Sequence, residues 1–187
     1  MVKNRMGLFT ICCLFIMLML IFKPMLPDLL APNLKLVFCG TAASEQSALK
    51  QAYYAGPGNK FYKALYAAGL TPHLLTPPEY PTLLNYGIGL TDLVKGRSGM
   101  DNTLRREHYD ATSVRQKIEY YQPCILCFNG KQAARMFMGL SSTTVITYGL
   151  QDFVIGNTKV FIAPSTSGAA NGAWDMEWWL GLGRIVE

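Results

Sequence analysis

The chain has 187 residues, half of them apolar and 16% charged, which suits one folded domain with a substantial core and excludes an intrinsically disordered chain. The formal net charge is +5, but Lys3, Arg5 and Lys23 lie in an unusual N-terminal segment and the remainder carries only +2. That balance permits a polyanionic partner without requiring one, and the five cysteines show no disulfide framework.

Residues 1–24 stand apart from residues 25–187. A basic start is followed by an uncharged apolar run from Met6 to Phe22, near the lower limit for a membrane span. Three readings stay open: an anchor or uncleaved signal, a buried helix, or translation that begins at Met25. A genuine segment, with Lys3 and Arg5 on its flank, would keep the N-terminus cytoplasmic.

From Leu34 onward, strands and helices alternate. "LKLVFC" reads as a short strand and "EQSALKQAYY" as a short helix, which "AGPGN" breaks. "NKFYKALYAAG" is amphipathic, with Asn59 as a helix cap, Phe61, Leu65 and Ala68 on one face, and Gly69 as its stop. "PPEYPTLLNYG" predicts a short helix ending near Gly87, and "IGLTDLV" a strand or extended segment. "GRSGMDNTLRREHYD" is polar and reads as an exposed loop. "ATSVRQKIEYYQ" is helical with Asp110 as its cap, "PCILCFNG" is a strand, and "GKQAARMFMG" is the next helix. "TTVITYGLQ" and "KVFIAPSTSG" predict two more strands, and "AWDMEWWLGLG" closes the chain as a helix. This alternation with short links implies a layered α/β fold with a mainly parallel sheet.

Ligands of such sheets bind beyond the carboxyl ends of the strands. Three loops qualify: Gly40–Ser44, Asn129–Lys131 and Pro164–Ala170. All are rich in small residues, which let a ligand approach backbone N–H groups. No Walker or dinucleotide pattern is present, and two histidines with scattered acids form no triad. Cys124 and Cys127 form a lone CxxC in an apolar strand-type run, which favours structural thiols over a metal or redox site. No metal and no cofactor is expected.

The motifs "FCGTAAS", "YYAGPGNKFYKAL", "GIGLTDLV", "LCFNGKQAA" and "VFIAPSTSGAA" occur in that order. Together they resemble the mismatch-specific uracil/thymine-DNA glycosylases of the uracil-DNA glycosylase superfamily, from about Met25 to the C-terminus. The resemblance implies a three-layer α-β-α fold around a mainly parallel sheet. It also implies a monofunctional glycosylase that removes uracil, or a related damaged pyrimidine, from mismatched double-stranded DNA. The expected protein is a cytoplasmic, nucleoid-associated monomer, with a membrane-anchored form only where the N-terminal segment is genuine.

Carried onto this sequence, the family's Gly-Ile-Asn-Pro-Gly loop begins at Gly40. Ala42 falls where the family's water-positioning asparagine is expected, and Ser44 where the second glycine is expected. Tyr54 takes the place of the aromatic that stacks on the flipped base, replacing the stacking lost on extrusion, although plain core packing of Tyr53 and Tyr54 is the alternative. Gly40, Thr41, Ala42, Ser44, Ser47 and Tyr54 are therefore the base-binding candidates. Asn59, Asp92 and Asn129 are rivals for the missing catalytic side chain. Asn59 is equally a helix cap, and Asp92 equally a helix or loop cap. "APSTSGAAN" resembles the phosphate-pinching and wedge motif, so Ser165, Thr166, Ser167, Gly168, Ala169 and Ala170 are DNA-binding candidates, with Ala169 and Ala170 making a weak wedge. Lys60, Lys131 and Arg135 are candidates for added phosphate charge, with an ordinary solvated side chain as the alternative for each. Two other functions compete: a non-catalytic sensor of extrahelical uracil, because of Ala42, and a membrane-tethered nucleoside or nucleotide hydrolase, because of the apolar N-terminus.

Overall fold

A computed structural model describes residues 26–97 and 104–186. The apolar N-terminal run and part of the polar 96–110 loop lie outside the described residues. Five strands form one sheet: β1 (Leu36–Ala42), β2 (Ile88–Val94), β3 (Ile125–Asn129), β4 (Gly149–Ile155) and β5 (Thr158–Ala163). Their order is β2-β1-β3-β5-β4, and every pairing is parallel except that of β4 with β5. Helices α1 (Glu45–Lys50), α2 (Phe61–Ala67), α3 (Ala111–Tyr121), α4 (Lys131–Met138) and α5 (Glu177–Val186) connect and cover it. The expected α/β architecture with a mainly parallel sheet is what forms.

The strands read as nearly continuous apolar runs because both faces of the sheet are covered. Side chains alternate between two cores. Leu36, Phe38, Leu90, Cys127 and Phe161 pack on one face beneath α2 and α5, with Phe61, Leu65 and Trp179. Val37, Cys39, Leu126, Phe128 and Ile162 pack on the other face beneath α3 and α4, with Val114, Ile118 and Phe137. The Phe38 ring stacks on Trp179 at 5.4 Å, and the Trp179 indole N–H donates to the Pro164 carbonyl at 3.1 Å. This helix thereby anchors the loop that leaves β5.

Local rules place most boundaries. Asp110 Oδ1 accepts from the Ser113 N–H at 2.8 Å and caps α3. "PPEYPTLLNY" winds as a 3₁₀ helix, Pro77–Tyr86, and Gly87 ends it in the left-handed conformation. Residues 26–33 lie along the outer edge of β2, where Leu29 and Leu90 exchange backbone hydrogen bonds of 2.9 and 2.8 Å. That segment covers an edge that would otherwise expose unpaired backbone groups.

Three expectations need correcting. The first strand does not stop at Cys39: Gly40 pairs with Asp92 and Ala42 with Val94, so the head of the small-residue loop is still sheet. The strand expected over "TTVITYGLQ" begins only at Gly149, whose φ of 97° reorients the chain, and Val145 stays 88% exposed. The final helix begins at Glu177, where Asp175 accepts from the Glu177 N–H at 3.0 Å, while Gly168–Ala173 forms a separate 3₁₀ turn.

Candidate functional site

The two-residue period of the strands builds the site. Following Phe38, Leu90, Cys127 and Phe161 two residues onward on the same face gives Gly40, Asp92, Asn129 and Ala163. The register sets Gly40 beside Asp92, and Asn129 beside Ala163. At the carboxyl end of the sheet, the apolar layer therefore gives way to two polar side chains, Asp92 and Asn129, in a row with Gly40 and Ala163. This row borders a cavity of about 520 Å³. Into its wall come Thr41, Ala42, Ser44 and Ser47 from the β1 loop, Tyr54 and Asn59 from the next turn, Lys131 from α4, and Ser165, Thr166, Ser167, Ala169 and Ala170 from the loop after β5. Almost every candidate read from the sequence lies here. Gly168 does not line the cavity; it packs against the backbone of Pro57 and Gly58.

Gly40 has a specific reason to be glycine. A Cβ there would lie 2.6 Å from Asp92 Oδ1, so the absent side chain is the space that the carboxylate occupies. Asp92 is 4% exposed and sits within β2, so it caps neither a helix nor a loop. Burial pushes its carboxyl up to about 6, against the pull of the Lys95 ammonium and with a push from Asp28. A carboxylate in this range takes up protons near neutral pH, as a general base must.

Tyr54 holds a left-handed backbone, φ 55°, unusual for an aromatic residue. Its ring stacks on Phe61 at 3.8 Å and 24°, which fixes its plane in the cavity wall. Its hydroxyl is buried without a hydrogen bond. Burial, then the Asp92 charge, hold the phenol well above its usual range, and the Asn129 side chain pulls in the opposite direction. The phenol therefore stays protonated, shielded from solvent in the cavity wall beside the Asn129 side chain. Tyr53, by contrast, is a core residue whose hydroxyl donates to the Pro27 carbonyl at 3.2 Å.

The remaining candidates divide by how their polar atoms are used. Asn129 is clamped: its amide donates to Thr166 Oγ1 and accepts from the Thr166 N–H, both at 2.9 Å. This pair fastens β3 to the loop after β5. The cap position of α2 is Lys60, which makes no side-chain cap bond, so Asn59 is not the helix cap; its Oδ1 accepts from the Phe61 N–H at 3.0 Å from one residue earlier, and it also lines the cavity. Ser44 Oγ accepts from the Ser47 N–H at 3.1 Å, and Ser47 Oγ accepts from the Ala55 N–H at 3.1 Å. Ser47 is thus a brace for the loop that carries Tyr54. Ser167 Oγ accepts from the Ala169 N–H, and Ser165 Oγ from the Ser167 N–H, both at 3.3 Å. Lys131 sits 4.1 Å from the Tyr148 ring centre, and Lys60 bonds Asn171. Arg135 is turned to the Ser141 carbonyl.

Sequence reasoning missed Tyr148, which lines the cavity beneath Lys131. It was hidden inside an expected strand. It also missed Asp28 and Lys95, which stand behind Asp92. The only signal for Lys95 was its place three residues after Asp92. Of the CxxC pair, Cys127 is buried and Cys124 exposed, and among the described residues no group of side chains has the makings of a metal site.

The solution NMR structure of a candidate uracil DNA glycosylase from Methanosarcina acetivorans superposes with a TM-score of 0.56, at 23% identity, over 88% of this chain and 98% of that one. At that identity, the likeness speaks for the fold. The family model of the uracil DNA glycosylase superfamily matches residues 27–180, which takes in every cavity residue named above. This chain therefore belongs to the uracil DNA glycosylase superfamily.

Proposed function

We propose that the protein is a monofunctional DNA glycosylase that hydrolyses the N-glycosidic bond of uracil, or a related damaged pyrimidine, in mismatched duplex DNA, and that Asp92 does the work expected of an asparagine at position 42. One observation carries this reading: the Asp92 carboxylate lies in the base cavity, across Gly40 and two residues before the partner of Ala42. An extruded base lies against Tyr54, whose ring is backed by Phe61. Backbone N–H groups of the Gly40–Ser44 loop face the charge that develops on the departing base. Asp92 accepts a proton from water as the water oxygen bonds C1′. The C1′–N bond breaks, its electron pair leaves with the base, and the base anion takes a proton from solvent.

Asn129 and Asn59 are weaker claimants for the water. Asn129 already makes two bonds to Thr166, and the Asn59 carbonyl oxygen is committed to the Phe61 N–H. The Ser165–Ala170 loop holds phosphates, with Lys131 and Lys60 at the rim. The test is single-turnover cleavage of a panel of lesion duplexes. Wild type should leave an abasic site on G·U. Asp92→Asn should slow cleavage by about 10²–10⁴, and Tyr54→Ala should weaken both cleavage and lesion binding. A folded wild type that cleaves no lesion, yet binds extrahelical uracil and becomes active as Ala42→Asn, would instead establish the sensor reading.

A further inference from the structure

Asp92 faces two cavities. In front is the base cavity, and behind it is a second one of about 700 Å³, lined by Pro27, Asp28, Lys95, His108, Ser113 and Lys117. Lys95 stands between Asp92 and this rear space. Its ammonium carries three donors, and each has a partner other than Asp92: Asp28 Oδ1 at 2.7 Å, the Tyr53 hydroxyl at 2.8 Å and the Leu26 carbonyl at 3.3 Å. Asp92 Oδ2 is left 3.9 Å away, beyond hydrogen-bond reach. Asp28 is itself fixed by Lys117 at 2.7 Å and by the Thr91 hydroxyl at 2.7 Å. Burial would raise its carboxyl, but Lys95 and Lys117 hold it below its usual range.

We propose that Asp28 is a positioning residue for the reaction: by drawing Lys95 to itself, it keeps that ammonium from closing on Asp92, so that the carboxylate stays turned to the base cavity and remains basic enough to take a proton from water. This rests on the role given to Asp92 above. With Asp28 uncharged, Lys95 loses its shortest contact and its nearest anion becomes Asp92. A direct ion pair then holds Asp92 back from the water and weakens it as a base. The other groups around Asp92 are uncharged or more loosely placed. From β1 comes the Cys39 thiol, and from the turn after α1 come the Tyr53 and Tyr54 phenols, all three raised by burial. Lys117 from α3 is engaged by Asp28, while Glu107, His108 and Asp110 border the rear cavity.

The experiment is the pH profile of single-turnover uracil excision by the full-length chain, for wild type, Asp28→Asn, Lys95→Met and the double variant. Asp28→Asn should lower the rate at neutral pH about tenfold and move the acid limb down by about one pH unit. Lys95→Met, which removes the cation, should move the limb up. The double variant should excise faster than Asp28→Asn alone, because no ammonium remains to close on Asp92. Equal acid limbs in the variants and wild type, or a double variant no faster than Asp28→Asn, would overturn the proposal. Should Asp28→Asn fail to fold, Asp28→Ser takes its place, alone and with Lys95→Met, with the same expected downward shift and the same overturning result. The two readings fail separately. Asp92→Asn that still excises uracil sinks the role of Asp92 itself. An inactive Asp92→Asn beside unchanged profiles in the other variants sinks only the role of Asp28.

Discussion

A buried carboxylate at the end of a sheet is costly, and Asp92 shows the sign of that cost. Its folded-state pKa of about 6 lies above the ordinary aspartate value of 3.8. The native state therefore binds its proton more tightly than the unfolded chain does. The resulting stability is fully present below about pH 4 and is lost as pH rises through about 6. At neutral pH the ionised group is a net liability on the order of 3 kcal/mol. Asp92→Asn should thus be more stable than wild type at pH 8 while losing excision, and calorimetry at pH 8 and pH 4 should show the gain shrinking at the lower pH. A buried carboxylate that costs stability where it ionises, and lines a cavity, is a candidate for chemistry. Sequence alone flagged Asp92 as the carboxylate in an apolar motif. It did not show that Gly40 makes room for it, because that depends on the register of two strands some fifty positions apart.

Elements meet at the site through few but directional contacts. The Asn129–Thr166 pair spans 37 residues and joins the end of β3 to the loop after β5. Asn129→Ala should leave the Thr166 N–H and hydroxyl buried without their partner and cost about 1–3 kcal/mol by chemical denaturation. It should also loosen duplex binding, since the loop proposed to hold phosphates loses its tether. At the far side, α5 passes so close to the end of α2 that a Cβ on Gly183 would lie 2.1 Å from the Ala68 carbonyl oxygen. Gly183→Ala must push the helices apart, and a loss of about 1–3 kcal/mol is expected in the same assay. Strands β1, β2, β3 and β5 were legible because buried parallel strands are short apolar runs between glycines and prolines. The β4 edge was not. Its outward Leu150 and Val154 are exposed, and its inward period is broken by a bulge, so the apolar stretch before it looked more like a strand. The cavity loops were legible as small-residue runs after strands. The Asp28–Lys95 pair was not, since 67 residues separate two charges that each look solvated when read alone.

For the whole molecule, the question is how a nearly neutral domain holds a polyanion. Few cations border the cavity. Lys131 is carried at the start of α4, and Lys60 leans over Trp174 at 5.2 Å while bonding Asn171. In the reading proposed above, most of the contact would fall to hydroxyls and backbone N–H groups of the Ser165–Ala170 loop. Lys131→Met should accordingly reduce the slope of log affinity against log salt by about one, measured by titration of a G·U duplex across salt concentrations, while the preference for the lesion over a plain duplex stays. The pairing of Gly40 with Asp92 and of Ala42 with Val94 has a consequence for the ancestry of such sites. With the role proposed for Asp92, two adjacent parallel strands offer two sockets for the same task, one at the head of the first strand's loop and one on its neighbour, both open to one chamber. A lineage can fill the second before emptying the first, so the reactive group can migrate across the sheet without the protein ever passing through an inert intermediate. The period of two limits that freedom. Moved to position 91 or 93, the carboxylate would fall on the opposite face of the strand, and only a two-residue step keeps it in the chamber.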